Sequence, residues 1–236
     1  MSGISGIGSG YSDLYSKIAS GNRIQRAKDD PAGQAIASKM EAQQRTQAMQ
    51  QRNAAMQQDA INVADGARAN MSAYVQDINE LSVQAMNGLY SDSDRQAIQN
   101  QINQYKMGIS EAANQARYNE TNVAGDGVSA LRSTGLENFD VTSGSANLDA
   151  VSGALDSISS ARSADGATAN GLEASISNLA NARENTMAGL SRIADMDIAE
   201  GASELKKQQT LDQASVSMQK QQMENEANFM SRMFGA

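Results

Sequence analysis

The stretch that most constrains the fold is Ser20–Ile36, because it contains Pro31, the only proline in this 236-residue chain. Gly21 can adopt the left-handed conformation that ends a helix. Pro31 disfavours the helical conformation at Asp30, so Asp30 can serve as the N-cap of a helix whose first residue is Pro31. The acidic pair Asp29 and Asp30 also suits the positive end of that helix. The sequence therefore predicts a helix stop, a short linker and a helix start within this stretch.

A helical pattern runs almost without interruption from Pro31 to about Tyr90. A helix of this length would span about 80 Å, which is far longer than an ordinary globular helix. Before the linker, Tyr11–Ala19 predicts about two helical turns, and the glycine-rich residues 1–10 are expected to be flexible. The apolar residues of the long pattern recur every three or four positions on one stripe: Met56, Ala60, Val63, Ala67, Met71, Tyr74, Ile78, Leu81 and Ala85.

The middle of the chain changes character twice. The run Ser91–Asp94 interrupts the long pattern, and Ser93 with Gln96 has the capping-box spacing of a second helix that ends near Asn119. Residues 119–147 contain several glycines and two β-leaning segments, Val128–Arg132 and Phe139–Thr142. This region predicts a hairpin or a small β patch.

A second long helix is predicted from Leu148. Its apolar residues fall on two heptad positions, and polar residues occupy the remaining seam sites, as in a coiled coil whose register is set by polar groups. The final segment, Ala202–Phe234, is amphipathic but thin, and needs neighbouring copies to bury its apolar side chains. The two heptad positions hold Leu148, Leu155, Ala169, Ile176 and Leu190, and Val151, Ile158, Leu172, Leu179 and Ile193; the polar seam sites are Arg162, Asp165, Arg183 and Thr186.

Composition excludes several function classes. The chain has no Cys, His or Trp, which removes disulfides, the usual zinc sites, and Ser-His-Asp or Cys-His catalysis. Aromatic residues make up 4% of the chain, so slender helix packing is favoured over a thick core. The net charge of −8, without a basic cluster, argues against nucleic acid. No apolar run suggests membrane insertion, and the N-terminus does not have the pattern of a cleavable signal peptide. We expect no cofactor, no metal site and no enzyme.

Together these patterns predict a mainly α fold: a long antiparallel helical rod, packed like a coiled-coil bundle, with a small β-hairpin region and terminal helices. The two long helices must return alongside each other to bury their stripes, which would bring the two chain ends together.

Four stretches resemble bacterial flagellins, the subunits of the flagellar filament. The first resembles the N-terminal signature of that family and is long and gapless; the others resemble its long-helix motif, its second helix start and the joint before its C-terminal helix. The matching residues are Ser20, Gly21, Arg23, Ile24, Ala27, Asp29, Asp30, Ala32, Gly33, Ala35, Ile36 and Ala37; Glu80–Ala85; Ser93, Asp94, Arg95, Ile98, Gln99 and Ile102; and Ser191, Arg192, Ile193, Asp195, Asp197, Ala199 and Glu200.

The resemblance implies a structural, non-enzymatic subunit that polymerises into the extracellular flagellar filament for motility. It also implies five segments. Residues 1–30 would be a shortened N-terminal inner-tube segment with its linker, and residues 194–236 the C-terminal inner-tube helix. Residues 31–118 would form the N-terminal rod helices, residues 148–193 the C-terminal rod helix, and residues 119–147 a small β/loop region in place of variable domains. The residues implied in assembly and in the linker are Arg23, Ile24, Asp29, Asp30, Pro31, Gly33, Arg192, Asp195 and Asp197.

The resemblance also implies a weakened contact with the innate flagellin receptor. The family has Arg at the position of Asp77 and Glu at the position of Gln101, whereas Leu81 matches the family. Reversing a charge at a hot-spot position commonly costs several kcal/mol, so we expect weak receptor activation. A further departure is Tyr118-Asn119-Glu120, where the family often has Phe-Asn-Gly.

The expected partners are other copies of the same chain, an export chaperone at the C-terminal helix, and the hook-associated and cap proteins, with export that needs no cleavable signal. Two alternatives stay open. The chain could be the related hook–filament junction protein, which localisation to one ring would reveal. It could instead be a secreted helical adhesin or effector, in which case it would not polymerise.

Overall fold

The computed structural model describes residues 4–125, 129, 132–142 and 146–234. The prediction of a mainly α protein with long helices and a small two-stranded sheet is confirmed. The helices are α1 (Ile4–Ser20), α2 (Pro31–Ala85), α3 (Asp92–Gln115), α4 (Leu148–Ala194) and α5 (Ile198–Phe234); the strands are β1 (Arg117–Tyr118) and β2 (Thr121–Asn122), and a 3₁₀ turn covers Leu136–Asn138.

The chain forms two compact units. The terminal unit contains Met1–Thr46 and Ala182–Ala236, and the central unit contains Gln47–Asn181. Both boundaries between the units fall within α2 and α4.

The first helix is longer than the sequence predicted. It begins at Ile4 rather than near Tyr11, so the expectation of flexible residues up to position 10 is wrong from Ile4 onward. Helix α1 packs against α5: Gln209 Nε2 donates a 3.2 Å hydrogen bond to Tyr11 Oη, and Ile18 lies beside Gly201. Packing against a second helix compensates for the low helix propensity of glycine. The sequence prediction considered only the glycines and therefore placed the start of the helix too late.

The third helix begins with a different capping box from the predicted one. Ser91, not Ser93, is the N-cap: its Oγ accepts from Asp94 N at 3.3 Å, while Asp94 Oδ2 accepts from Ser91 N at 2.9 Å. The pairing of Ser93 with Gln96 is wrong because the ionised Asp94 is a stronger acceptor than a neutral Gln. The hydrogen bonds from the Ser91 hydroxyl and N–H hold the pKa of Asp94 below its ordinary value.

The hairpin lies earlier than the predicted β segments. Strands β1 and β2 pair antiparallel around a two-residue turn in which Asn119 and Glu120 have φ of 47° and 67°. Positive φ at both central residues is typical of a type I′ turn, whose twist matches that of the flanking strands and which usually contains Gly. Most of Val128–Arg132 lies outside the described residues. Phe139–Thr142 does not form a strand.

Phe139–Thr142 instead packs into the core of the central unit as an irregular segment. Gln99 of α3 holds it like an adjacent strand: its Oε1 accepts from Val141 N at 2.9 Å, and its Nε2 donates to Phe139 O at 3.2 Å. Lys106 Nζ also donates to Phe139 O at 3.1 Å, and burial lowers the pKa of Lys106. Side-chain hydrogen bonds thus replace a β ladder and satisfy this buried backbone.

The core of the central unit joins α2, α3 and the first turns of α4. Its α2 members are spaced by threes, fours and sevens, as expected for one face of a helix. The cluster contains Met71, Val75, Ile78, Ala85, Ile102, Ile109, Ala113, Leu136, Phe139, Val141, Ala150, Val151, Ala154 and Ile158.

Two ion pairs link α2 to α4 beyond this core, within the central unit. Arg68 forms an ion pair with Asp165, and its side chain is 4% exposed. Arg162 Nε lies 2.8 Å from Asp65 Oδ1 in a half-exposed pair. The prediction that Arg162 and Asp165 are polar seam residues is confirmed. Opposite charges placed on both helices favour a single register, because a shift would leave Arg68 buried without its carboxylate.

The turn at Glu120 provides a test of the hairpin geometry. A non-glycine residue at positive φ costs about 1–2 kcal/mol, part of which glycine loses again through its unfolded-state entropy. Glu120→Gly should therefore raise the free energy of unfolding of the central unit by about 0.5–1 kcal/mol, measured by urea titration.

Glu120→Ala is the matched control, since it removes the charge but keeps the unfavourable φ. It should behave like the parent chain. Equal gains from both substitutions would show that charge, not backbone strain, limits the turn.

Candidate functional site

The two chain ends meet at a short antiparallel bridge in the terminal unit. Arg23 N donates to Ala194 O at 2.7 Å, and Met196 N donates to Gly21 O at 2.8 Å. Between these bonds, Asn22 pairs with Asp195. Gly21 has φ of 71°, which confirms its predicted role at the end of α1. We call residues 20–33 and 191–201 the joint.

The Arg23 side chain strengthens this bridge. Its Nη2 donates a 2.6 Å hydrogen bond to Ile193 O in the last turn of α4. Carbonyl groups at a helix C-terminus lack partners within the helix and carry partial negative charge, so a guanidinium satisfies both needs. The resemblance implied that Arg23 acts in assembly. In the structure, its side chain joins the linker to the end of α4 within the same chain.

Asp29 organises the linker. Its Oδ2 accepts from Arg26 N at 3.1 Å and from Gln25 N at 3.2 Å, and its Oδ1 lies 3.4 Å from Lys17 Nζ of α1. These groups, the Arg26 N–H most of all, hold the pKa of Asp29 below its ordinary value. Asp13 extends this attachment, because its carboxylate lies 3.1 Å from Lys28 Nζ. The linker is therefore folded back onto α1.

Asp30, Pro31 and Gly33 form the predicted start of α2. Asp30 Oδ1 accepts from Gly33 N at 2.8 Å, and Pro31 is the first helical residue, so the N-cap prediction is confirmed. A Cβ on Gly33 would lie 2.8 Å from Ile24 Cδ1 and would collide with the Asp30 carboxylate. Glycine is therefore required here, because Ile24 and the cap approach the helix backbone closely.

The C-terminal side of the joint contains three of the residues implied by the resemblance. Asp197 caps α5: its Oδ1 accepts from Ala199 N at 2.8 Å and from Glu200 N at 3.2 Å. Asp195 provides the backbone of the bridge and continues α4 with a 2.9 Å bond from its N to Ser191 O. Arg192 is exposed in the last turn of α4.

Gly201 and Met196 belong to the joint and Lys17 contacts it through Asp29, but none of the three was predicted as a site residue. Gly201 is buried, and a Cβ there would lie 3.2 Å from Ile18 Cγ1 and would collide with Met196. Gly201 thus allows α1 and α5 to pack closely. The available signal was a glycine directly before the predicted final segment, Ala202–Phe234, although it does not identify the partner helix.

A continuous set of large apolar side chains on α5 is exposed to solvent. These residues fall within an arc of about 160° around the helix, at 100° per residue. Helix α1 contains 17 residues and α5 contains 37. Helix α1 lies antiparallel to α5, because Ile18 lies beside Gly201 and Tyr11 contacts Gln209. At this spacing, the N-terminus of α1 lies near position 216 of α5. We define the α5 apolar face as Leu211, Val216, Met218, Met223, Phe229, Met230 and Met233, which are 57–67% exposed.

The three residues implied in receptor contact lie in the central unit. Asp77 and Leu81 are half-buried on α2, one turn apart, and Leu81 packs against the core. Gln101 is exposed on α3.

Within residues 4–125, 129, 132–142 and 146–234, no group of three or more His, Cys, Asp or Glu side chains could hold a metal ion. In the same part of the chain, no helix combines the length and hydropathy needed to cross a bilayer. The arrangement supports helix association at the joint and along α5.

Comparisons with known proteins agree with this arrangement. Residues 1–125 match the bacterial flagellin N-terminal helical region, and residues 148–229 match the bacterial flagellin C-terminal helical region. A flagellin of Halalkalibacterium halodurans is 32% identical over 86% of this chain and 84% of its own length. The flagellar filament core protein flaB2 of Brachyspira hyodysenteriae is 29% identical over 85% and 84%, and a flagellin of Listeria innocua is 27% identical over 89% and 87%.

Gly33 tests the geometry of the joint. Gly33→Ala should loosen the contact among Ile24, Asp30 and α2, and speed trypsin cleavage after Arg23 and Arg26 about fivefold, as a local loss of about 1 kcal/mol would. Timed digestion followed by mass spectrometry of the linker peptides measures this.

The matched control is Gly66→Ala on the same helix, where a Cβ would meet no atom within 4 Å. It should leave linker cleavage unchanged. Equal cleavage rates for the Gly33→Ala variant and the parent would contradict the close packing described above.

Proposed function

Because this chain belongs to the bacterial flagellin family, we propose that its joint and its α5 apolar face form the contacts by which copies polymerise. The protein is a structural subunit of the flagellar filament and therefore part of an extracellular polymer used in motility. Its family is structural rather than enzymatic.

The observation that carries this proposal is the exposure of the α5 apolar face. Seven large side chains on one helix face, each more than half exposed, are unusual for a stable monomer surface and typical of an interaction site. Phe229 and the four methionines of the face are residue types enriched at interfaces. The nearest helix of the same unit, α1, is less than half as long as α5, so it leaves room for another copy.

The joint would keep α5 in a position to make these contacts. Arg23 binds the end of α4 at the bridge, Asp29 holds the linker, and Asp197 caps α5. Ile24, Pro31 and Gly33 lie together at the start of α2. Arg192 is exposed beside the bridge, where it could pair with a carboxylate of a neighbouring copy. We propose that Asp30 and Asp195 act only within the chain.

We further propose the layered arrangement implied by the family. Residues 1–30 and 194–236 would form the inner layer around a central channel, and residues 31–118 and 148–193 would form the outer layer. Residues 119–147 would replace an outer variable domain. Contacts between different surfaces of identical copies, when they do not close into a ring, produce an open helical polymer of this kind.

Polymerisation would complete the folding of α5. A long amphipathic helix with one face uncovered is marginal alone and is stabilised when a partner buries that face. Coupling folding to docking in this way keeps a chain soluble before assembly.

The family resemblance implies further partners. We propose that an export chaperone covers the α5 apolar face before export, and that export needs no cleavable signal. Hook-associated and cap proteins would contact the ends of the polymer. The hook–filament junction and adhesin alternatives are not favoured, because both ends of the chain match flagellin and the relatives match along most of it.

Assembly of the full chain tests the proposal. Purified protein in polymerising salt should form filaments visible by negative-stain microscopy. Val216→Asp with Phe229→Asp should abolish sedimentable polymer, because two carboxylates on the α5 apolar face would be buried without partners.

Gln221→Asp with Asn228→Asp is the matched control, since it adds the same charge to the opposite face of α5. Helical content by circular dichroism should be equal for both variants. The proposal fails if the chain stays monomeric in every salt tried, or if both double variants polymerise alike.

We propose that receptor contact is weak because Asp77 carries the wrong charge and Gln101 carries none. Asp77→Arg with Gln101→Glu should raise potency in a cell reporter assay by at least about tenfold, since an interfacial charge pair is worth more than 1.4 kcal/mol. Asp59→Arg, on an exposed part of the same helix, is the control and should have no effect. Full potency of the unaltered chain would refute the proposal.

A further inference from the structure

Methionine dominates the α5 apolar face. Of its seven residues, four are methionines: Met218, Met223, Met230 and Met233, with exposures of 61%, 67%, 58% and 61%. In contrast, among the described residues the core of the central unit contains a single methionine, Met71, which is 0% exposed. The folded core is thus built mainly from leucine, isoleucine, valine and alanine, whereas the exposed face of α5 is built mainly from methionine.

Exposed thioethers react with hydroperoxides. The sulfur attacks one peroxide oxygen, the S–O bond forms as the O–O bond breaks, and the leaving hydroxide takes a proton to become water. Each methionine is oxidised by two electrons to its sulfoxide, and each hydrogen peroxide is reduced to water. Sulfoxide reductases reverse the modification.

We propose that the α5 apolar face is an oxidation-sensitive assembly switch. Hydroperoxide oxidation of Met218, Met223, Met230 and Met233 in the free subunit blocks polymerisation, and polymerisation in turn protects the same four sulfurs. This inference rests on the proposed function, because another copy of the chain is the occupant that buries the face.

The physical reason is the polarity of the product. A sulfoxide oxygen is a strong acceptor, and burying it among apolar side chains without a donor carries a large penalty. All four sulfurs lie on the one face, so oxidation of several would act on the same contact. The adaptability of methionine explains its use at such a surface; susceptibility to oxidation accompanies that advantage.

The chain offers a matched set of methionines for the test. Met49, Met56, Met86 and Met107 lie in the central unit and are 45–66% exposed, so hydrogen peroxide reaches them as well. If exposure alone decided the outcome, both sets would matter equally. Our proposal assigns the effect to the α5 set.

The experiment uses full-length subunit treated with hydrogen peroxide, with sulfoxide at each site quantified by peptide mass spectrometry. Light scattering and sedimentation then follow polymerisation. Oxidised subunit should polymerise at least about tenfold more slowly, a change equivalent to about 1.4 kcal/mol, because the sulfoxide oxygens would be buried without hydrogen-bond donors. Methionine sulfoxide reductases A and B with dithiothreitol should restore the original rate. In preformed filaments, the four α5 sites should oxidise at least about tenfold more slowly than in the free subunit.

Two quadruple variants separate the explanations. Met218→Leu, Met223→Leu, Met230→Leu and Met233→Leu together should make polymerisation insensitive to peroxide. Met49→Leu, Met56→Leu, Met86→Leu and Met107→Leu together should leave the sensitivity unchanged. Equal sensitivity of the α5 variant and the parent overturns the inference, as does unhindered polymerisation of fully oxidised parent.

The outcome is separable from that of the proposed function. If untreated parent forms filaments but oxidation changes nothing, the inference alone fails. If untreated parent never polymerises, the proposed function fails, and the inference fails with it. Should the α5 leucine variant not polymerise untreated, protection of the four parent sites within filaments decides the question; unchanged oxidation rates there would refute the switch.

Discussion

Two backbone hydrogen bonds, from Arg23 N to Ala194 O and from Met196 N to Gly21 O, connect the parts of the terminal unit that lie at opposite ends of the sequence. A helix with as many glycines as α1 is marginal by itself in water. It persists because the bridge and Gly201 hold it against α5, and because Lys17 ties it to the linker through Asp29. The bridge, the packing at Gly201 and the ion pair of Lys17 with Asp29 therefore order the terminal unit together.

The central unit depends on a different balance of forces. Its apolar core occupies the region where α2, α3 and the beginning of α4 meet, whereas the next part of the α2–α4 contact relies on small side chains and on ion pairs. Apolar burial in the core supplies stability. The buried guanidinium of Arg68 adds a constraint on the register of α2 against α4, because a shift would separate it from Asp165.

The α5 helix joins stability to function. Its first turns are fixed by Asp197 and by packing against α1, while its later turns carry an apolar face that the rest of the described chain leaves exposed. In a flagellin this exposed face is useful, because burying it between copies provides a driving force for association. A subunit that buried all of its apolar side chains by itself would lack that driving force. The same exposure that drives association makes the methionine sulfurs of the face accessible.

Much of this fold was readable from the sequence, because the features that specify it act over three or four residues. Asp30 capping Gly33, the turn at Gly21 and the apolar stripe through Met71 and Ile78 all repeat known local spacings. The cap at Ser91 was misassigned since two serines offered similar spacings and the stronger acceptor, Asp94, decided between them.

What the tertiary structure alone decided are contacts between residues far apart in the sequence, whose partners no local periodicity reveals. Gln99 replaces a β strand for Phe139 and Val141, and Gly201 provides the space that Ile18 needs. The sequence by itself determined the helices, their boundaries near Pro31 and Leu148, and the resemblance to a family. Only the tertiary structure determined which helix faces are covered, because burial depends on the partner as well as on the residue.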